Sequence, residues 1–132
     1  MNEQLTGENI KSKRISVLKT YGENLSEKSY ITNPAIGREG QLKELILTLL
    51  TPDKSAILTG PPGVGKTSIV EGLAYRIQNK QVPKSLENYT IVETSAAKLN
   101  SNCTFNGMLE KRVIELFESL KNEKNVILFI DE

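Results

Sequence analysis

The sequence predicts an α/β fold in which short parallel strands alternate with helices that cross over the faces of one sheet. Three observations carry that expectation. Apolar residues recur at three- and four-residue steps in three separate stretches, and short, nearly continuous apolar runs fall between them. A glycine-rich octapeptide, GPPGVGKT at residues 60–67, joins one such run to one such stretch.

Residues 1–34 are polar with small apolar patches at Ile15, Val17 and Leu18, and they end on Asn33-Pro34. An arm or linker holding at most one short helix is expected there, and a partial α/β domain of three strands over residues 35–132. Leu42, Leu45, Ile46 and Leu49 mark the buried face of a helix from Glu39 to Leu50, with Pro52 stopping it. AILT, residues 56–59, enters directly on Gly60 and is expected to be a buried strand. Ile69, Val70, Leu73, Ala74 and Ile77 repeat the helical spacing to about Asn79. TIVET, residues 90–94, is a second strand. Leu109, Val113, Leu116, Phe117 and Leu120 mark a third helix that begins after Asn106-Gly107. NVILFI, residues 125–130, is apolar throughout, as a strand covered on both faces should be.

Composition bounds the function. At 132 residues the chain builds one modest core, and no apolar run approaches a bilayer span, so no membrane partner is expected. No apolar segment follows the early charges, which argues against secretion. Cys103 is the lone cysteine and histidine is absent, so an internal disulfide is impossible and a protein-only zinc site is not expected. Both fit a reducing cytoplasm. A net charge of +1 gives no broad footprint for nucleic acid, and Lys11, Lys13 and Arg14 read as a solvated segment.

Gly60, Gly65, Lys66 and Thr67 meet the phosphate-loop pattern in full. Glycines let phosphate oxygens approach where a side chain would collide. Lys66 places a point charge on the β and γ phosphates, and the Thr67 hydroxyl is a ligand for Mg²⁺. Pro61 and Pro62 donate no hydrogen bonds, so the donors of the cradle come mainly from Gly63 to Thr67. The ILFIDE segment supplies the complement. Asp131, at the end of an apolar strand, would hold the water shell of Mg²⁺, and Glu132 would act as general base on the attacking water.

Beyond these motifs the residues carry a resemblance. YGENLSEKS from Tyr21, NPAIGRE, and GPPGVGKTSIVEGLAYRI followed by QVP resemble the first ATPase module of the Clp-type unfoldases, ring-forming chaperones of the AAA+ class. The resemblance implies an AAA+ P-loop NTPase, a parallel sheet with flanking helices, cut after the Walker B strand that ends on Asp131. It implies ATP and Mg²⁺ as cofactors. Ala35 and Ile36 would line the adenine pocket, and Gly60, Pro61, Gly63, Val64 and Gly65 would form the cradle. Lys66, Thr67, Asp131 and Glu132 keep the roles argued above, and Ser68 would close the phosphate region. Arg38 would pack or pair near the nucleotide.

The family also grips substrate with an aromatic and a glycine on a mobile pore loop. CTFNG places Phe105 and Gly107 in those positions, while Thr104 and Asn106 stand where the family is usually basic. A loop phenylalanine tucked into its own core is the other reading of Phe105. Partners implied by the resemblance are copies of the chain in a ring, unfolded or aggregated protein, and a peptidase.

In the family, the strand leading into the phosphate loop is flanked by two strands that would lie after Glu132. Their absence would leave backbone groups unpaired at about 1–3 kcal/mol each, so the chain is expected to be the N-terminal part of a longer gene product. An ATP-driven unfoldase or disaggregase is the leading expectation. An AAA+ loader of nucleic-acid assemblies and a nucleotide-binding regulator without turnover are the alternatives.

Overall fold

The computed structural model describes residues 20–61, 63 and 65–131. They fall into two compact units, one formed by Leu25–Ile91 and the other by residues 20–24 with 92–131.

The first unit is organised by two helices. α1 spans Glu39–Leu50 and buries Leu42, Leu45 and Ile46 as the spacing predicts. α2 spans Lys66–Gln78 and buries Ile69, Val70, Leu73, Ala74 and Ile77. The two pack together, and α2 also packs against a short 3₁₀ turn at Leu25–Glu27. Residues 20–34 therefore include more than the arm the sequence suggested. Leu25 is 0% exposed, and Gln78 Nε2 donates to the carbonyls of Ser26 at 2.8 Å and Lys28 at 2.6 Å. The Tyr30 ring meets Tyr75 edge-on at 6.5 Å, and Lys28 pairs with Glu71 at 3.6 Å. A strap is thus fastened along the helix that leaves the glycine loop. Leu25→Ala is expected to cost about 2–5 kcal/mol, the range for a large-to-small change in a core. Its signature is hydrogen-exchange protection lost across α2.

AILT departs from expectation. Residues 56–59 have no strand structure, and Ile57 is 86% exposed. A strand exists by hydrogen bonding to a neighbour, and no strand among the described residues pairs with this run, so its apolar side chains have no sheet in which to sit.

The second unit is built on a small mixed sheet in the order β1-β2-β3, formed by Glu23–Asn24, Thr90–Ser95 and Val126–Asp131. β1 is antiparallel to β2, with Glu23 opposite Glu93 and Asn24 opposite Val92. It was not foreseen, because two polar residues carry no strand signature. Thr94, 0% exposed, donates through Oγ1 to the Tyr21 carbonyl at 2.6 Å, which satisfies a polar group that burial would otherwise penalise.

β2 runs into α3, Ala96–Asn100, whose start is capped by the Ser95 hydroxyl accepting from the Lys98 amide at 3.2 Å. α4 spans Met108–Lys121. Leu116 is buried with Val92 and Leu99, and Leu109, Val113, Leu120, Val126 and Leu128 pack on them. Phe117 was expected on that face but is 48% exposed. It lies one step of about 100° round the helix from Leu116, at the flank of a narrow stripe. β3 differs too: five of its six residues are half-buried and Ile130 is 53% exposed, so it is not covered on both faces. It lies at one edge of the three-stranded order.

Candidate functional site

The glycine loop holds the geometry its sequence demands. Gly63 and Gly65 both have φ of +84°, in the left-handed region where a side chain is strained. Gly65 is also packed: a Cβ there would meet the Arg38 guanidinium at 3.1 Å. Gly60 and Pro61 are exposed at the start of the loop. Pro62 and Val64 lie outside the described residues.

α2 starts at Lys66 with Gly65 before it and no side chain capping it. A glycine at the cap contributes no side-chain acceptor to the first-turn amides, an arrangement that suits an anion. Lys66, Thr67 and Ser68 are half-buried in that turn, and Lys66 Nζ donates to the Gly60 carbonyl at 3.0 Å. The contact folds the ammonium back over the loop. Lys66, Gly60, Arg38, Gln41 and Leu45 also line a cleft of about 500 Å³ that continues along α1.

The sequence places Arg38 near this site but not in it. The structure sets its guanidinium against Gly65, so two cations flank the loop. Ala35 is 1% exposed, with its methyl directed at Gly72, so the side chain that reaches the surface beside it is Ile36, at 73% exposure. The turn at Pro34–Gly37 is held by the Ala35 amide donating to Asn33 Oδ1 at 2.9 Å and by its carbonyl accepting from the Arg38 amide at 3.0 Å. Gly37, at φ +81°, lets it close. Among the expected residues, Ala35, Ile36, Gly60, Pro61, Gly63, Gly65, Lys66, Thr67 and Ser68 all belong to the Leu25–Ile91 unit.

This set fits a nucleoside polyphosphate. Two left-handed glycines, an uncapped helix start and two cations answer a string of phosphates, and an exposed isoleucine offers an apolar face to a base. No group of three or more His, Cys, Asp or Glu that could hold a metal occurs among the described residues.

Asp131, Phe105 and Gly107 lie in the other unit. Asp131 ends β3, half-buried, and Glu132 is outside the described residues. Phe105 is 63% exposed on the turn before α4, so the tucked-in alternative does not hold. Gly107, at φ +87°, is the residue from which α4 starts. Arg112, which the sequence did not single out, anchors the other end of this loop. It donates to the carbonyls of Leu99 and Ser101, and its guanidinium lies 5.3 Å from the centre of the Tyr21 ring. Cys103 is half-buried with Sγ 3.6 Å from the Leu99 carbonyl, a packing role.

Comparison with known proteins identifies the family. Residues 56–132 match the family model described as "ATPase family associated with various cellular activities (AAA)". The chaperone protein ClpB of Aquifex aeolicus is 42% identical over 135 aligned residues, covering 100% of this chain and 13% of that protein. The S. cerevisiae Hsp104-ADP complex superposes with a TM-score of 0.78 at 31% identity, covering 87% of this chain and 21% of that one. The S. cerevisiae Hsp104:casein complex in its extended conformation gives 0.77 at 32% identity, covering 88% and 21%. The chain spans well under a quarter of each of these relatives. No described helix is long and apolar enough to cross a membrane.

Proposed function

This chain belongs to the AAA family of ATPases and has its P-loop fold, and from that membership we propose that it binds ATP with Mg²⁺ as part of a ring-forming protein unfoldase or disaggregase. The observation that carries the proposal is the loop itself, with left-handed Gly63 and Gly65 feeding an uncapped α2 and Lys66 folded over it.

Each residue has a distinct task. Gly60, Pro61, Gly63, Val64 and Gly65 shape the cradle, and Lys66 neutralises the β and γ phosphates. Ser68 closes the phosphate region from the first helical turn. Ile36 meets the base, and Ala35 seats it. Thr67 would offer its hydroxyl to a magnesium ion and Asp131 would hold that ion's water shell, and the ion would supply positive charge to the phosphates. Glu132 takes a proton from the attacking water. Phe105, exposed on a loop anchored by Arg112 and α4, grips a threaded polypeptide, because a flat ring lodges against many side chains. Gly107 gives that loop its freedom. The Hsp104 structure in complex with casein supports a protein substrate, and the cytoplasm is the proposed compartment.

The test is ATP binding and ATP-driven unfolding of a stably folded protein by the intact gene product. Phe105→Ala is expected to leave ATP affinity within about twofold and to lower the unfolding rate at least about tenfold, since loop gripping and nucleotide binding are separate steps. Unchanged unfolding would remove Phe105 from the mechanism. Turnover that requires DNA would instead favour a loader of nucleic-acid assemblies.

A further inference from the structure

We infer that Gly72 is a positioning residue for the base-binding end of the site: its missing methyl sets how closely the Pro34–Gly37 turn seats on α2. The inference rests on the proposed nucleotide site, in which Ile36 meets the base.

Glycine in the middle of a helix loosens it, so its presence there calls for a packing reason. Here the reason is a single contact. A Cβ on Gly72 would fall 2.3 Å from the Ala35 Cβ, where two carbons pack no closer than about 3.5 Å. The next nearest atoms, Ala35 Cα and N, would be at 3.4 Å, an ordinary contact. The collision is therefore methyl against methyl. Gly72 has no positive φ, so alanine suits its backbone and the packing alone decides.

Ala35 cannot yield alone. Its amide and carbonyl are both hydrogen-bonded within the turn, and the residue is 1% exposed. A methyl at position 72 must push the whole turn off the helix and carry Ile36 with it. The phosphate end responds differently. Gly63, Gly65 and Lys66 belong to the loop and to α2 itself, about two helical turns from Gly72, and stay in place. Arg38 reaches Gly65 through a long flexible side chain that can follow a shifted backbone.

Gly72 therefore governs recognition of the base while leaving phosphate binding intact. The turn on one side and the helix on the other must match in size, which gives the inference a direct test. In the intact gene product, Gly72→Ala is expected to weaken ATP binding about tenfold, the scale of one misplaced apolar contact, and to leave binding of inorganic tripolyphosphate within about twofold. The size-swapped double variant, Gly72→Ala with Ala35→Gly, removes the opposing methyl and is expected to recover most of the lost affinity.

Titration calorimetry with ATP and with tripolyphosphate reads all three proteins, and thermal melting follows their folding. A double variant as weak as Gly72→Ala, or one that stays unfolded, overturns the inference. So does an equal loss for tripolyphosphate, which would mean general damage to the site. Wild-type protein that binds neither ligand overturns the nucleotide reading itself, whereas wild-type binding with an indifferent Gly72→Ala overturns the positioning role alone.

Discussion

Lys66→Ala in the intact gene product is expected to weaken ATP binding at least about 100-fold and to abolish measurable hydrolysis, the scale on which removal of one charge-stabilising donor acts. In affinity that is about 2.7 kcal/mol. The argument starts from position. Lys66 is the first residue of α2, and its Nζ lies 3.0 Å from the Gly60 carbonyl at the start of the loop. An ammonium there can exchange one protein acceptor for phosphate oxygens without a large motion, so its charge is already placed. Arg38 cannot substitute, since its guanidinium is packed against Gly65. Lys66→Arg is expected to fail as well, because a planar fork does not fit where a compact point charge sits. Alanine is the better helix former, so α2 itself should survive and circular dichroism should be unchanged. ATP affinity within threefold of wild type would sink the assigned role of Lys66.

Parts of this fold were legible because their signal is local. α1, α2 and α4 follow from apolar spacing, and in α1 the expected limits, Glu39 and Leu50, are the observed ones. The glycine loop stands out for the same reason: its glycines, lysine and threonine fall within eight residues, and Gly63 and Gly65 take left-handed conformations that glycine alone adopts freely. What failed needed distant partners. Ala56–Thr59 has the composition of a strand, but strand structure belongs to a pair, and no described strand pairs with it. β1 is the converse, two polar residues made a strand by their register with Val92 and Glu93. α3 is a five-residue helix after a serine cap, too short for periodicity to speak.

The site shows the same division. Ala35 looked like a pocket-lining residue, yet its methyl faces Gly72, and that pairing cannot be read along the chain. Gly72 carries no signal of its own within IVEGLA, and its packing reason emerges only with Ala35 beside it. Arg112 is one of several charges along α4 in the sequence, and only the structure shows that it ties Leu99 and Ser101 to that helix and fixes the base of the Phe105 loop. Motif residues announce chemistry. Residues that place the motifs announce themselves only through packing.

Glu132→Gln separates binding from turnover, and is expected to slow ATP hydrolysis about 10²- to 10⁴-fold while holding ATP affinity within about threefold. Glutamine keeps the size of the side chain and one acceptor oxygen but cannot take a proton from water. The reasoning for this residue comes from its place in the chain. β3 carries apolar residues up to Asp131, and the proposed mechanism gives the two successive carboxylates different work, Asp131 on magnesium and Glu132 on water. Asp131→Asn is accordingly expected to raise the magnesium concentration needed for half-maximal activity, an effect Glu132→Gln should not share. A regulator that binds nucleotide without turning it over makes the opposite forecast, that Glu132→Gln changes nothing. Single-turnover hydrolysis in the intact gene product distinguishes them, because it reads the chemical step apart from product release. If wild type hydrolyses ATP and Glu132→Gln does so at the same rate, the general base is another residue. A slowed variant that still binds ATP would place proton transfer at Glu132 and give the nucleotide-bound form needed to watch Phe105 engage a polypeptide.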